Sequence, residues 1–197
     1  ILGIALVGRI LAHLFLKIGR MPDALTYVSA GKSLVETGIA DSRLVMPLYP
    51  LINYVNNNYF GGFLEVLLSV ASVYLIYRIS MVIFRNEAYA KISALIASVY
   101  PFFLYYASLQ LTETSYVFFL LLSFTLFYEK KFFGASVATV ASILIRPSID
   151  LLAPLLVLIF SLLVHRSTVR EAFKRLGIYA VTYLLMMSPW WYHNTLK

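Results

Sequence analysis

Three ionisable side chains stand at turns between apolar runs, and together their types could carry out group transfer. They are Asp23 in the stretch GRMPDALTYVSAGKSLVETG (residues 19–38), Glu113 in LTETS (111–115), and Arg146 ahead of Pro147. A carboxylate such as Asp23 can take a proton from a hydroxyl. It can equally cap a helix N-terminus, and the two uses are compatible because a capping carboxylate keeps a free oxygen. Arg146 calls for an anionic partner, either Asp150 or a phosphate. Arg43, beside Asp41, poses the same choice. Glu113, on a very short turn between two apolar spans, reads either as a solvated turn residue or as a functional candidate. His13, His165 and His193 lie far apart, and neither HExxH nor a paired-carboxylate motif occurs, so the residues do not name a metal. The chain has no cysteine, which excludes disulfides, thiolate metal sites and cysteine nucleophiles. Walker A, GxGxxG and nucleophile-elbow patterns are also missing, which argues against soluble nucleotide chemistry.

The elements that must position these residues are apolar. Hydrophobic residues make up 61% of the 197, charged ones 13%, and the mean hydropathy is +0.82, well above soluble domains. The net charge of +7 comes from single basic residues and short groups between apolar runs, the pattern of loop anchors and not of a nucleic-acid-binding face. A bilayer core takes about 20 apolar residues per helix, which divides the chain into about seven spans. These are 1–18, 63–84, 88–109 with Pro101 inside, 114–128, two shorter runs at 132–145 and 151–164 that a re-entrant hairpin could also explain, and 176–190. The expected fold is all-α, a polytopic transmembrane bundle forming one domain over 1–197. The apolar run at Ile1 and the stop at Lys197 suggest a piece of a longer chain.

Arg85 and Lys91, Lys130 and Lys131, and Arg166, Arg170, Lys174 and Arg175 mark three loops as cytoplasmic. The alternate loops, with Asp23, Glu113, Arg146 and His193, then face outward. Arg78, near the inner end of its span, is expected to snorkel to the headgroups. Arg9, within the first span, should face the bundle. In the first outer loop, Ala24, Tyr27, Val28, Gly31, Leu34 and Val35 repeat at helical spacing, with Asp23 at the N-cap position and Gly38 at the stop. This predicts an amphipathic helix lying at the outer interface. The prolines of MPLYP (46–50) predict a tight turn, and Asn56, Asn57 and Asn58 a loop.

In series, these motifs resemble the GT-C glycosyltransferases of bacteria and archaea, in the branch of the protein O-mannosyltransferases and aminoarabinose transferases. The pieces are Pro22-Asp23 with Tyr27 and Gly38, Arg43 with Pro47-Leu48-Tyr49-Pro50, YPFFLYY (100–106) with Leu111-Thr112-Glu113-Thr114, Leu144-Ile145-Arg146-Pro147, and Pro189-Trp190-Trp191 with Asn194. The order holds along essentially the whole chain, which would correspond to the family's amino-terminal membrane module. His193 departs from the pattern of the last piece, and Arg43 only approximates the position of the family's basic residue.

The resemblance implies an enzyme of the prokaryotic plasma membrane whose active site faces outward. It would move a sugar from a polyprenyl- or dolichyl-phosphate carrier to a hydroxyl of a protein, lipid or polysaccharide. Asp23 would be the catalytic base, Arg146 and Arg43 would bind the donor phosphate, and Glu113, Tyr27 and His193 would position the acceptor or a divalent cation. A transporter or lipid flippase, or a non-catalytic scaffold subunit, are the competing expectations. Against the transporter, no inverted repeat or pair of Gly-interrupted spans occurs.

Overall fold

The computed structural model describes residues 1–15, 21–38 and 45–195. Among these there are ten α-helices and no strand. They are α1 (Leu2–Phe15), α2 (Pro22–Thr37), α3 (Leu48–Tyr59), α4 (Phe63–Phe84), α5 (Glu87–Val99), α6 (Pro101–Tyr106), α7 (Thr112–Tyr128), α8 (Phe132–Ile145), α9 (Ala153–Ile159) and α10 (Val169–Thr195). A 3-10 turn at Pro147–Ile149 precedes α9, and a π turn at Phe160–Val164 follows it. By length and composition one of the described helices, α4, can cross a bilayer; Leu2–Phe15, Thr112–Tyr128, Phe132–Ile145 and Ala153–Val164 are apolar but shorter. The expected all-helical fold is thus observed, whereas of the about seven expected spans one described helix, α4, has both the length and the apolar character of a span.

Small and polar residues are frequent inside, beside an apolar core that includes Phe127, Ile143, Phe160 and Trp190, and many large apolar residues lie outside. Ser69, Ser72, Ser123, Thr139 and Ser142 are buried, while Val7, Leu11, Ile96 and Leu185 are exposed. Small residues allow helices to approach closely. At the α7–α8 contact the Ser123 and Thr139 hydroxyls share a 2.5 Å hydrogen bond. α8, which expectation left between a span and a hairpin arm, is the most enclosed helix, with every residue from Ala138 to Ile145 buried.

Side-chain contacts sort the helix ends into two groups. The starts of α4 and α7 meet through Glu65 and Ser115 (3.2 Å), and the far ends through Arg78 and Glu129, so these helices run parallel. α8 returns in the opposite sense, because Arg146 at its end reaches Glu113 at the start of α7. His165 bonds the Phe127 carbonyl at 2.7 Å, and the Arg175 guanidinium lies 3.9 Å above the Phe132 ring, which gathers the basic turns at one end. Arg78 does not snorkel freely: it is held by Glu129 and the Tyr74 hydroxyl. Three turns at this end place a basic residue in left-handed backbone, Arg85 (φ 50°), Lys130 (φ 62°) and Arg166 (φ 48°).

Three expectations need correction. First, 46–59 is not a turn and loop. α3 forms because Pro47 precedes the helix and Pro50 falls in its first turn, where backbone N–H groups have no intrahelical acceptor. The asparagines then serve the helix end: Asn58 donates to Tyr54 O (2.8 Å), Asn57 to Asn53 O (3.0 Å), and Asn56 Oδ1 accepts from Leu64 N (2.9 Å). Second, the expected third span is broken into α5 and α6, with Tyr100 extended (ψ 120°) ahead of Pro101. Third, Asp23 is not the N-cap of α2. Met21 holds that position, Pro22 follows it, and Asp23 lies in the first turn without a capping hydrogen bond.

Candidate functional site

α2 is a helix because its apolar positions fall on one face, and that face docks on α3. Ala24, Ala30 and Gly31 are buried. Gly31 permits the approach: a Cβ there would fall well inside contact distance of the Pro50 carbonyl oxygen and 3.3 Å from Tyr54 Cβ. Gly38 ends the helix in left-handed backbone (φ 72°), its N–H bonding Leu34 O. Docked in this way, α2 presents Asp23 and Tyr27, one turn apart, toward the start of α7 and the end of α8.

There the two residues line a polar cavity of about 240 Å³ with Glu113, Thr112 and Arg146, closed by Val45, Met46, Leu111, Ile145 and Pro147. Asp23 and Glu113 each occupy the first turn of a helix, where the positive end of the dipole favours an anion. Arg146 leaves α8 in extended backbone (φ −150°), as a residue before proline must, and its Nη1 donates to Glu113 Oε1 at 3.1 Å. The side chains of this pair keep 50% and 32% exposure, so the guanidinium retains accessible N–H groups. Burial pushes the Tyr27 hydroxyl above the usual phenol range, and Asp23 and Glu113 push the same way, against the hydrogen bond to Thr112 and the charge of Arg146. Tyr27 is thus a neutral hydroxyl in a cavity with one cation and two carboxylates.

The expected site residues are thereby divided. Asp23, Tyr27, Glu113 and Arg146, spread over more than a hundred positions of sequence, share one cavity. His193 does not: it lines a separate cleft with Leu34, Pro47, Met186 and Trp190, stacked on the Trp190 ring at 5.2 Å. Arg43 and Asp41 lie outside the described residues. Asp150 is not the partner of Arg146, which pairs with Glu113; it lies beside Tyr183 of α10 instead. No group of three His, Asp or Glu side chains among the described residues is arranged for a metal. Asp23 and Glu113 could supply the two carboxylates with which Mg²⁺ is commonly held when phosphate oxygens complete its shell. One acid behind the cavity belonged to no motif. Glu65, in α4, is 1% exposed, and its only signal in the sequence was a carboxylate inside an apolar run.

Comparison of the chain with protein-family profiles, with curated proteins and with solved structures finds no match.

Proposed function

We propose that the chain is the membrane module of a GT-C-type glycosyltransferase of the plasma membrane. It would transfer a sugar from a polyprenyl- or dolichyl-phosphate carrier to an acceptor hydroxyl on the outer side. The observation that carries the reading is the convergence of Asp23, Glu113 and Arg146 on one polar cavity from three separate parts of the chain. The buried serines and threonines together with the many exposed large apolar side chains support a bundle that crosses the bilayer several times. The gathering of Arg78, Lys131, His165 and Arg175 at the other end supports an outward-facing cavity.

In this reading Asp23 accepts the proton of the acceptor hydroxyl as its oxygen bonds to the anomeric carbon. The bond from that carbon to the phosphate oxygen breaks, and the electron pair leaves on the carrier phosphate. Arg146 stabilises the growing negative charge, a role for which Glu113 holds the guanidinium in place. The phosphate leaves readily, so a second carboxylic acid acting as proton donor is not required, unlike glycoside hydrolysis. Tyr27 supplies a neutral hydroxyl beside the base, suited to hydrogen bonding a sugar or acceptor oxygen.

The test is sugar transfer from a polyprenyl-phosphate donor by the purified, reconstituted protein. Asp23→Asn is expected to lower the rate by roughly 10² to 10⁴, the usual contribution of a general base. Transfer at near the wild-type rate by correctly inserted Asp23→Asn protein would remove the proposal.

A further inference from the structure

Behind the cavity wall lies a buried polar layer that the mechanism above does not use. Glu65 (α4) is 1% exposed, and among the described residues no Lys, Arg or His lies within ion-pair distance of it. One of its oxygens accepts from Ser115 Oγ of α7 at 3.2 Å; the other has no well-directed partner. The fully buried Tyr49 of α3 brings its hydroxyl beside this carboxyl and the Asn53 amide, again without a well-directed bond. A buried carboxyl with no counter-ion among the described residues is costly to keep charged, which marks it as a functional candidate.

Two arms lead from Glu65 to the cavity, and they converge. Through Tyr49, whose ring meets Tyr27 edge-on at 4.8 Å, Glu65 backs the α2 wall. Through Ser115 it holds the first turn of α7, which carries Glu113 and Thr112, both lining the cavity with Tyr27. We propose that Glu65 is a positioning residue that sets Tyr27 and Glu113 against Asp23 and Arg146, acting through Tyr49 on one side and Ser115 on the other. The proposal rests on the glycosyltransferase reading for its effect on rate, but not for its effect on Tyr27.

Both effects are measured on wild type, Glu65→Gln and Glu65→Leu in detergent. Glu65→Gln keeps size and hydrogen bonding, whereas Glu65→Leu keeps size alone. The first readout is the titration of Tyr27, followed by NMR of ¹³C-labelled tyrosine and assigned with Tyr27→Phe. The Leu variant is expected to depart from wild type, and the Gln variant to superimpose on it. The second readout is transfer kinetics, where the Leu variant should lose on the order of tenfold in kcat with KM for the lipid donor little changed, and Gln should recover most of it.

Identical Tyr27 titrations in all three proteins would overturn the proposal. So would a Leu variant that loses thermal stability while its kcat per folded molecule is unchanged. If no protein transfers sugar yet Tyr27 responds as described, the positioning role stands and the transferase reading falls. Should Glu65→Leu fail to fold, Tyr49→Phe and Ser115→Ala each cut one arm, and unchanged Tyr27 titration in both refutes the proposal equally.

Discussion

Arg9 is a fully buried cation with no counter-ion among the described residues, and removing it should reveal what it is for. Its Nε donates to Ser69 Oγ (2.6 Å), its Nη1 to Ala5 O and Ser98 O (both 3.0 Å), and its Nη2 to Ala97 O (3.3 Å). Pro101 explains two of these bonds. Lacking an N–H, it cannot donate to Ala97 O four residues back, and the extended Tyr100 breaks the ladder beside it. The guanidinium thus replaces backbone donors at the α5–α6 break, at the carbonyl end of α5, where a cation is favoured by the dipole. In Arg9→Leu, Ala5 O still has its own helical donor and Ser69 Oγ can use Phe103 O, to which it already lies at 3.3 Å. Only Ala97 O and Ser98 O are orphaned.

At about 1 to 3 kcal/mol for each stranded group, the gross loss in Arg9→Leu is roughly 2 to 6 kcal/mol. Relief from burying the charge offsets part of it, so a net loss of about 2 kcal/mol is expected. Adding Pro101→Ala returns the missing N–H and lets residue 100 become helical. Arg9→Leu should then cost about 1 kcal/mol less, a coupling that a double-mutant cycle resolves. The assay is reversible unfolding in detergent micelles, followed by helical circular dichroism. An additive cycle, with the Arg9→Leu loss unchanged by Pro101→Ala, would refute the view that Arg9 substitutes for proline's missing donor.

Two further perturbations address the α2 docking and the basic end. Gly31→Ala drives a Cβ against the Pro50 backbone, which cannot rotate away; overpacking costs about 1 to 3 kcal/mol, against a helix-propensity gain of about 1 kcal/mol. A net loss of up to about 2 kcal/mol is expected, with α2 displaced and transfer activity lowered more than in an exposed control such as Val35→Ala; a more stable protein of full activity would contradict the docking. His165 gives a pH dependence. Burial holds its pKa below the usual histidine value, helped by Arg175 and Lys130 and opposed by the bond to Phe127 O. Its folded pKa being depressed, the neutral ring contributes stability above about pH 6.5, and this is lost as pH falls through the folded value. The melting temperature of wild type should therefore drop more than that of His165→Gln between about pH 7 and about pH 5, and parallel profiles would count against it.

The parts of the fold that were legible in the sequence are those where one local rule acts alone. The apolar runs 63–84 and 132–145 are α4 and α8 to the residue, and Gly38 ends α2 as its backbone requires. The misreadings occurred where position within a helix reverses a residue's meaning. Pro50 breaks a helix interior but suits a first turn, and asparagines that signal a loop can instead fasten a helix end. The site was legible as a set of residue types at turns on one side, which brings Asp23, Glu113 and Arg146 together. Its pairing was not: Asp150 is nearer to Arg146 in sequence, yet the parallel run of α4 and α7 and the return of α8 place Glu113 at its guanidinium. Glu65 was illegible for the same reason, since its partners Tyr49 and Ser115 come from two other helices.

The left-handed residues at the basic end have a consequence for the order of events in biogenesis. Glycine would adopt the backbone of Arg85, Lys130 or Arg166 without the side-chain penalty, and each of these turns forgoes it. In the folded chain their side chains do little to recover that strain: among the described residues none of the three forms an ion pair. Under the proposed orientation their charge acts earlier, while each hairpin of helices is being threaded into the bilayer and the side that keeps the turn is still undecided. Under that orientation, stability of the finished protein and fidelity of its assembly would be separable properties, set at these turns by the same three side chains in opposite directions.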